Sequence, residues 1–276
     1  MGDNATLLSG GFFRSLDNPI ITNQRNKKFR FFGVCVLATP SIFLPWETPT
    51  SAAPTSSDQP ILPEPGYFLS GFTHPTLPVL TATPNNHINL CAMQWGLIPH
   101  WCKSQAQAQE LGIYGLNARA ETLTEKPLFR DAWKSHPCLL PVSGFFEWQA
   151  IGKKKQPYYI YASDAQPLLF AGLFAEWTDT DTGEQKRSYA IITTEANALM
   201  AEIHNVKKRM PVILDADQAK RYLQGDATVR ETFLKPCDNA ILTAHPVAPW
   251  LNQVKVNRNV PQALLPIEKD FPQTLF

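Results

Sequence analysis

The sequence predicts an α+β fold, a single domain on a curved, mostly antiparallel sheet with a few flanking helices. Short apolar runs recur at regular intervals from Tyr67 onward, turn signals separate them, and no strand–helix alternation of the βαβ kind is present. A chain of 276 residues with 44% hydrophobic and 11% aromatic composition can bury a full core.

Residues 1–65 read unlike the rest. Ten of the 24 prolines fall between Pro40 and Pro84, and Ser51 to Gln59 is a Ser/Ala/Pro/Thr tract. Proline removes backbone donors and biases its predecessor away from helix, so the expectation is a Pro-rich arm, with the compact domain spanning 66–276. Arg14, Arg25, Lys27, Lys28 and Arg30 give the arm a local basic cluster. The apolar run from Phe31 to Trp46 contains Pro40 and Pro45 and is shorter than the roughly 20 residues a membrane span needs. No membrane is expected, and the chain reads as cytoplasmic, nucleoid-associated if bacterial.

Within the domain, Ile88 to Leu97, Cys138 to Val142, Gly144 to Trp148, Tyr158 to Tyr161, Leu168 to Phe174, Ser188 to Thr194 and Pro211 to Leu214 read as strands. Asp179 to Gly183 is a polar hairpin tip. Helices are fewer. Phe129 and Trp133 pair at i,i+4 within Pro127 to Trp133, and Leu199 and Ile203 share a face within Ala196 to Ile203. Asp217 to Leu223 follows an Asp215 cap and stops at Gly225.

Net charge is +1, from 25 Lys+Arg against 24 Asp+Glu, so any basic surface is local. The five cysteines, Cys35, Cys91, Cys102, Cys138 and Cys237, lack CxxC or Cys/His spacing. They read as reduced thiols, and no metal or cofactor is called for.

Four segments place polar groups beside bulky ones: Trp95 to Trp101, Asn117 to Glu121, Gly144 to Trp148 and His204 to Pro211. Glu147, flanked by Phe145, Phe146 and Trp148, is a candidate general acid/base if its carboxyl is desolvated, and a solvated strand residue if it alternates outward. His204 follows a short helix and precedes three cations; a loop histidine bonded to backbone is the plainer reading. Arg119 and Arg209 can hold phosphates or pair with neighbours such as Glu121. Trp95 and Trp101 can stack bases or fill the core.

Together these segments resemble the SRAP (SOS-response-associated peptidase) family. The resemblance rests on WGLIPHW at Trp95 to Trp101, NARAET at Asn117 to Thr122, FR.AW at Phe129 to Trp133, CLLPVSGFFEW at Cys138 to Trp148 and IHNVKKRMPVIL at Ile203 to Leu214. It implies a barrel-like sheet with a groove for single-stranded DNA containing abasic sites, acting as a monomer in the DNA damage response. It also implies shielding of the lesion by a covalent link, in which an amino-terminal cysteine forms an imine with the ring-opened sugar and closes it to a thiazolidine. By motif, Asn117 would orient the reacting group, Glu147 would shuttle protons, His204 would act on the sugar oxygen or phosphate, and Arg119 and Arg209 would hold phosphates.

The sequence departs from this pattern at its start, which reads Met1-Gly2 where the family has Met-Cys. The Gly2 amine can form an imine but has no thiol with which to close a ring, and Cys35 has a free amine only through proteolysis or a different start of translation. The alternatives are a homologue that binds single-stranded DNA without cross-linking and an imine-forming abasic-site lyase. A more distant one is a hydrolase or peptidase using Glu147 and His204 with Cys138 or Ser143.

Overall fold

The computed structural model describes residues 66–267 and the backbone of residues 33–36. Its strands, in order, are β1 (Gly33–Val36), β2 (Gly66–Ser70), β3 (Thr76–Ala82), β4 (Ile88–Trp95), β5 (Asn117–Arg119), β6 (Pro137–Val142), β7 (Gly144–Ile151), β8 (Lys154–Ala162), β9 (Leu168–Thr178), β10 (Gln185–Glu195), β11 (Arg209–Pro211), β12 (Ile213–Leu214) and β13 (Leu242–Pro246). The helices are α1 (Gln105–Tyr114), α2 (Arg130–Ser135), α3 (Ala198–Ile203), α4 (Ala216–Gln224) and α5 (Ala227–Glu231).

Strands β10, β4, β3, β6 and β9 follow one another in the larger sheet, and β9 pairs with β10, so these five close into a barrel. All the pairings around this ring are antiparallel except β10 with β4, which are parallel. The second sheet runs β13-β8-β7-β1-β2. Residues 33–36, in the segment read from sequence as an arm, thus belong to this sheet, between β2 and β7.

The barrel strands are covered on both sides, which is why they read as continuous apolar runs rather than strict alternations. Along β9, Leu168 and Phe170 join a cluster with Phe145, Ile160 and Ala162 of the second sheet, whereas Leu169, Ala171 and Leu173 join one with Trp133 of α2 and Tyr222 and Leu223 of α4. The outer face of the second sheet is covered by the C-terminal segment. Phe68, Phe146, Trp148 and Tyr159 pack there against Val247, Leu251 and Ala263.

The expected capping of α4 is present. The Asp215 side chain accepts from the Gln218 N–H and the Gln218 side chain returns a bond to the Asp215 backbone. Helix α2 starts three residues later than expected, at Arg130. Among the elements that escaped the sequence reading, three show why. In α1, Gln105-Ala106-Gln107-Ala108-Gln109 alternates with period two and carries no 3.6-residue apolar stripe; its start is fixed by Ser104, whose side chain accepts from the Gln107 N–H at 3.3 Å. Strand β3 was hidden by its proline. The Pro75 carbonyl accepts from the Trp95 N–H at 2.9 Å, so by alternation Pro78 turns away from β4 toward β6, where the pairing is confined to Leu80 opposite Leu139. Strand β13 is short and only partly buried.

Candidate active site

Glu147 lies in the middle of β7, opposite Tyr158 of β8. Strand alternation sends Phe146 and Trp148 to the face beneath the C-terminal segment, so these neighbours do not wall the carboxyl as their adjacency in sequence suggested. Glu147 is nevertheless 6% exposed, on the face shared with Phe145 and turned toward α3. Burial pushes its pKa from the ordinary 4.5 up to about 8, against the opposing pull of the Trp148 N–H, Lys155 and Lys207. The outward-facing alternative is thereby removed. The carboxyl is neutral at pH 7, and its Oε1 accepts from the Trp148 N–H at 3.2 Å.

His204 is delivered by α3, which is capped at its start by Asn197, accepting from the Met200 N–H at 2.9 Å. The histidine ends the helix, its N–H donating to the Met200 carbonyl at 2.7 Å. Its Nδ1 lies 2.9 Å from the Arg209 carbonyl and 3.6 Å from Glu147 Oε2. A carbonyl only accepts, so Nδ1 carries the proton and Nε2 is the basic nitrogen of the neutral ring. The plainer reading of His204, a backbone-bonded loop histidine, and the functional one describe the same side chain: the bond that satisfies Nδ1 also fixes the tautomer.

A second polar group on this loop holds it to the strand of the acid. The Ala150 N–H donates to Asn205 Oδ1 and Asn205 Nδ2 donates to the Ala150 carbonyl, both at 3.0 Å. Gln149 Nε2 adds a bond to the Glu202 carbonyl at 3.0 Å. The Asn205 amide thus does for Ala150 what β1 does for Gly144 to Phe146, replacing a neighbouring strand. Asn205→Ala should lower stability by about 1 kcal/mol, since two solvent-accessible bonds are lost, and urea denaturation measures it. An unchanged midpoint would show that the clamp holds nothing.

Asn117 and Arg119 stand on β5, which runs parallel to β10 with Asn117 opposite Ile191 and Arg119 opposite Thr193. Arg209 opens β11, opposite Glu195. Thr193 connects them: its hydroxyl donates to the Ala118 carbonyl at 3.3 Å, while Arg209 donates to its carbonyl at 2.6 Å and to its hydroxyl at 3.3 Å. Arg209 also forms a bidentate pair with Glu121, holding that carboxyl below its usual range. Glu121, Arg209, His204 and Glu147 therefore form a chain of contacts, although they come from widely separated parts of the sequence, and Thr193 ties Arg209 to the β5 backbone next to Asn117. Asn117 Oδ1 is buried and has no hydrogen-bond partner among the described residues.

The structure treats the remaining candidates unequally. Arg119 is exposed. Trp101 keeps 37% exposure. Trp95 has none: it is stacked on Tyr189 with centroids 6.4 Å apart, and its Nε1 donates to the Leu116 carbonyl at 2.9 Å. A fully enclosed indole has no face for a base, so Trp95 is corrected from a binding residue to a support for the backbone just before Asn117. The backbone of Cys35 lies opposite Gly144 on β7, and Gly2 lies outside the described residues. Cys138, the thiol of the hydrolase alternative, is fully buried and its pKa is pushed well up by desolvation, which makes it inert. Thr193 and Asn205 were missed from the sequence, where neither stands out from its neighbours.

A mixed barrel packed against a second sheet, with a buried acid on that sheet 3.6 Å from a tautomer-fixed histidine, is an arrangement able to pass a proton. The family model described as SOS response associated peptidase (SRAP) matches residues 55–254, and the chain belongs to that family. The abasic site processing protein YoqW of Bacillus subtilis (strain 168) is 36% identical over 201 residues, covering 71% of this chain and 86% of that one. The abasic site processing protein HMCES of Xenopus tropicalis is 33% identical over 200 residues, 64% of this chain and 57% of that one. A solved protein from Bacteroides thetaiotaomicron superposes with a TM-score of 0.70 at 34% identity, covering 77% of this chain and 92% of that one. No helix among the described residues is long and apolar enough to cross a membrane.

Proposed function

We propose that this protein binds single-stranded DNA at abasic sites and shields the lesion through an imine-based covalent link, as a monomer in the DNA damage response. The carrying observation is Glu147, a carboxyl neutral at pH 7 and 3.6 Å from His204. Imine formation requires an amine to attack the aldehyde carbon, a proton to move from nitrogen to oxygen, and a second proton to reach the hydroxyl that departs as water. A neutral carboxylic acid donates that last proton and, as carboxylate, removes one from nitrogen, which a carboxyl of ordinary pKa would do poorly at pH 7. His204 Nε2 is the base available to the sugar oxygen. Asn117 Oδ1, buried and unpartnered among the described residues, is an acceptor for a sugar hydroxyl, and Arg119 provides positive charge for the flanking phosphates, with Arg209 adding what its bonds to Glu121 and Thr193 leave over. The relatives' names as abasic site processing proteins support the substrate class.

The test is incubation of the purified chain with an abasic oligonucleotide, with and without borohydride. A heat-stable adduct without reductant is expected if a thiol closes the imine to a ring. An adduct seen only with borohydride, together with strand cleavage, identifies an imine that is not trapped, the lyase alternative. Retained, salt-sensitive binding with no adduct under either condition replaces the covalent reading by a DNA-binding module.

A further inference from the structure

Strands β7 and β8 are joined by a tight turn at Gly152, which adopts φ +57, with Ile151 opposite Lys154 and Ala150 opposite Lys155. Residues 151–155 are all exposed, and so are residues 205–208 of the loop after α3. These two segments are distant in sequence, but the paired Asn205–Ala150 bonds lock them side by side. Lys153, Lys154, Lys155, Lys207 and Lys208 are thereby gathered on one surface. The sequence contains no Asp or Glu between Glu147 and Asp164, nor between Glu202 and Asp215, so neither segment carries a carboxylate to balance them. Lys153, Lys154 and Lys208 enter no ion pair among the described residues, whereas Lys134 and Lys186 each face a carboxylate. In a chain of net charge +1, five lysines on two segments that contain no Asp or Glu are a local concentration of charge.

The patch is continuous with the candidate site. Lys155 and Lys207 act electrostatically on Glu147, so its inner edge lies at the acid, and from there β7 leads outward about 14 Å to the turn, at ~3.4 Å per residue over four residues. Lysine is a flexible point charge that accepts phosphate without fixing a base or a bidentate geometry, which suits a strand bound irrespective of sequence.

We infer that the β7–β8 turn and the Asn205–Lys208 loop form one surface for the phosphate backbone of single-stranded nucleic acid, leading away from Glu147. The inference rests on the proposed function and deepens it, adding a second phosphate track to the one that starts at Arg119.

The test is the salt dependence of binding to a fluorescent oligothymidylate, read by anisotropy. The variant is Lys153→Ala/Lys154→Ala/Lys208→Asn, which spares Lys155 and Lys207 because they act on Glu147. Asn is used at 208 because that residue has φ +50, where Asn is tolerated and Ala is strained. A plot of log affinity against log salt should lose about 2 units of slope, at ~0.7 per phosphate contact for single strands. Lys134→Ala/Lys220→Ala/Lys235→Ala, on other elements, should leave the slope unchanged. An unchanged slope in the first variant, or an equal loss in both, overturns the surface while leaving the proposed function standing. A wild-type chain that fails to bind the oligonucleotide at low salt overturns both. Borohydride trapping at low salt reads the chemistry separately and should be retained in the first variant.

Discussion

Glu147→Gln should abolish most abasic-site reactivity while making the protein more stable in alkaline solution. The carboxyl is buried and its folded pKa is about 8, against an ordinary 4.5 that stands for the unfolded chain. Between these values the folded state holds a proton that the unfolded state has released, so stability falls as pH rises through this window and levels off above about 8. At about 1.4 kcal/mol per pKa unit the whole window amounts to on the order of 5 kcal/mol. The amide keeps the shape and never ionises, so the variant should match wild type near pH 5 and melt several degrees higher near pH 9. Adduct formation should fall by about 10²- to 10⁴-fold, the range a positioned acid/base contributes. Thermal melts across pH and single-turnover trapping measure the two effects independently. If the variant loses stability at pH 9, Glu147 is a structural carboxylate held by partners in its ionised form, and the catalytic reading goes with it.

The sequence allowed Glu147 to be singled out but gave a partly wrong reason. Flanking aromatics suggested a low-dielectric pocket, yet Phe146 and Trp148 lie across the sheet, and the burial arises from α3 and the packing around Phe145. A strand residue's environment is set by what covers its face, and that is contributed by segments far away in sequence. The same limit explains Trp95, whose neighbours Gly96 and Leu97 say nothing of Tyr189 stacking on it. Elements marked by local chemistry were legible, such as α4 with its capping box and the Asp179 to Gly183 tip, where Gly183 adopts φ +73. Closure of the barrel through β9 and β10, the clamp at Asn205 and the Thr193 junction are long-range pairings, for which one sequence carries no periodic signal.

Arg209→Ala should destabilise the protein by about 2–3 kcal/mol, whereas Arg119→Ala should leave stability unchanged and weaken binding of single-stranded DNA. The two arginines look equivalent in sequence, but their surroundings differ. Arg209 is already committed, with two bonds to Glu121 and two to Thr193, and its removal leaves the Thr193 carbonyl without that donor. Glu121 is about half exposed, so much of the pair's Coulomb energy is screened, and the expected loss comes chiefly from the Thr193 bonds and from the join between β5 and β11. Arg119 is exposed and can meet phosphate at no such cost. Glu121→Ala decides what Arg209 is for. A strut loses its brace, so stability falls, a double-mutant cycle with Arg209→Ala shows coupling, and DNA affinity does not rise. A phosphate clamp held in reserve by Glu121 would instead be released, and affinity would increase at low salt as a competing carboxylate is removed. The bonds to the Thr193 backbone favour the strut, because they persist without Glu121 and keep the guanidinium against β10. Arg119 and the lysines beyond Glu147 then carry the larger share of the phosphate contacts.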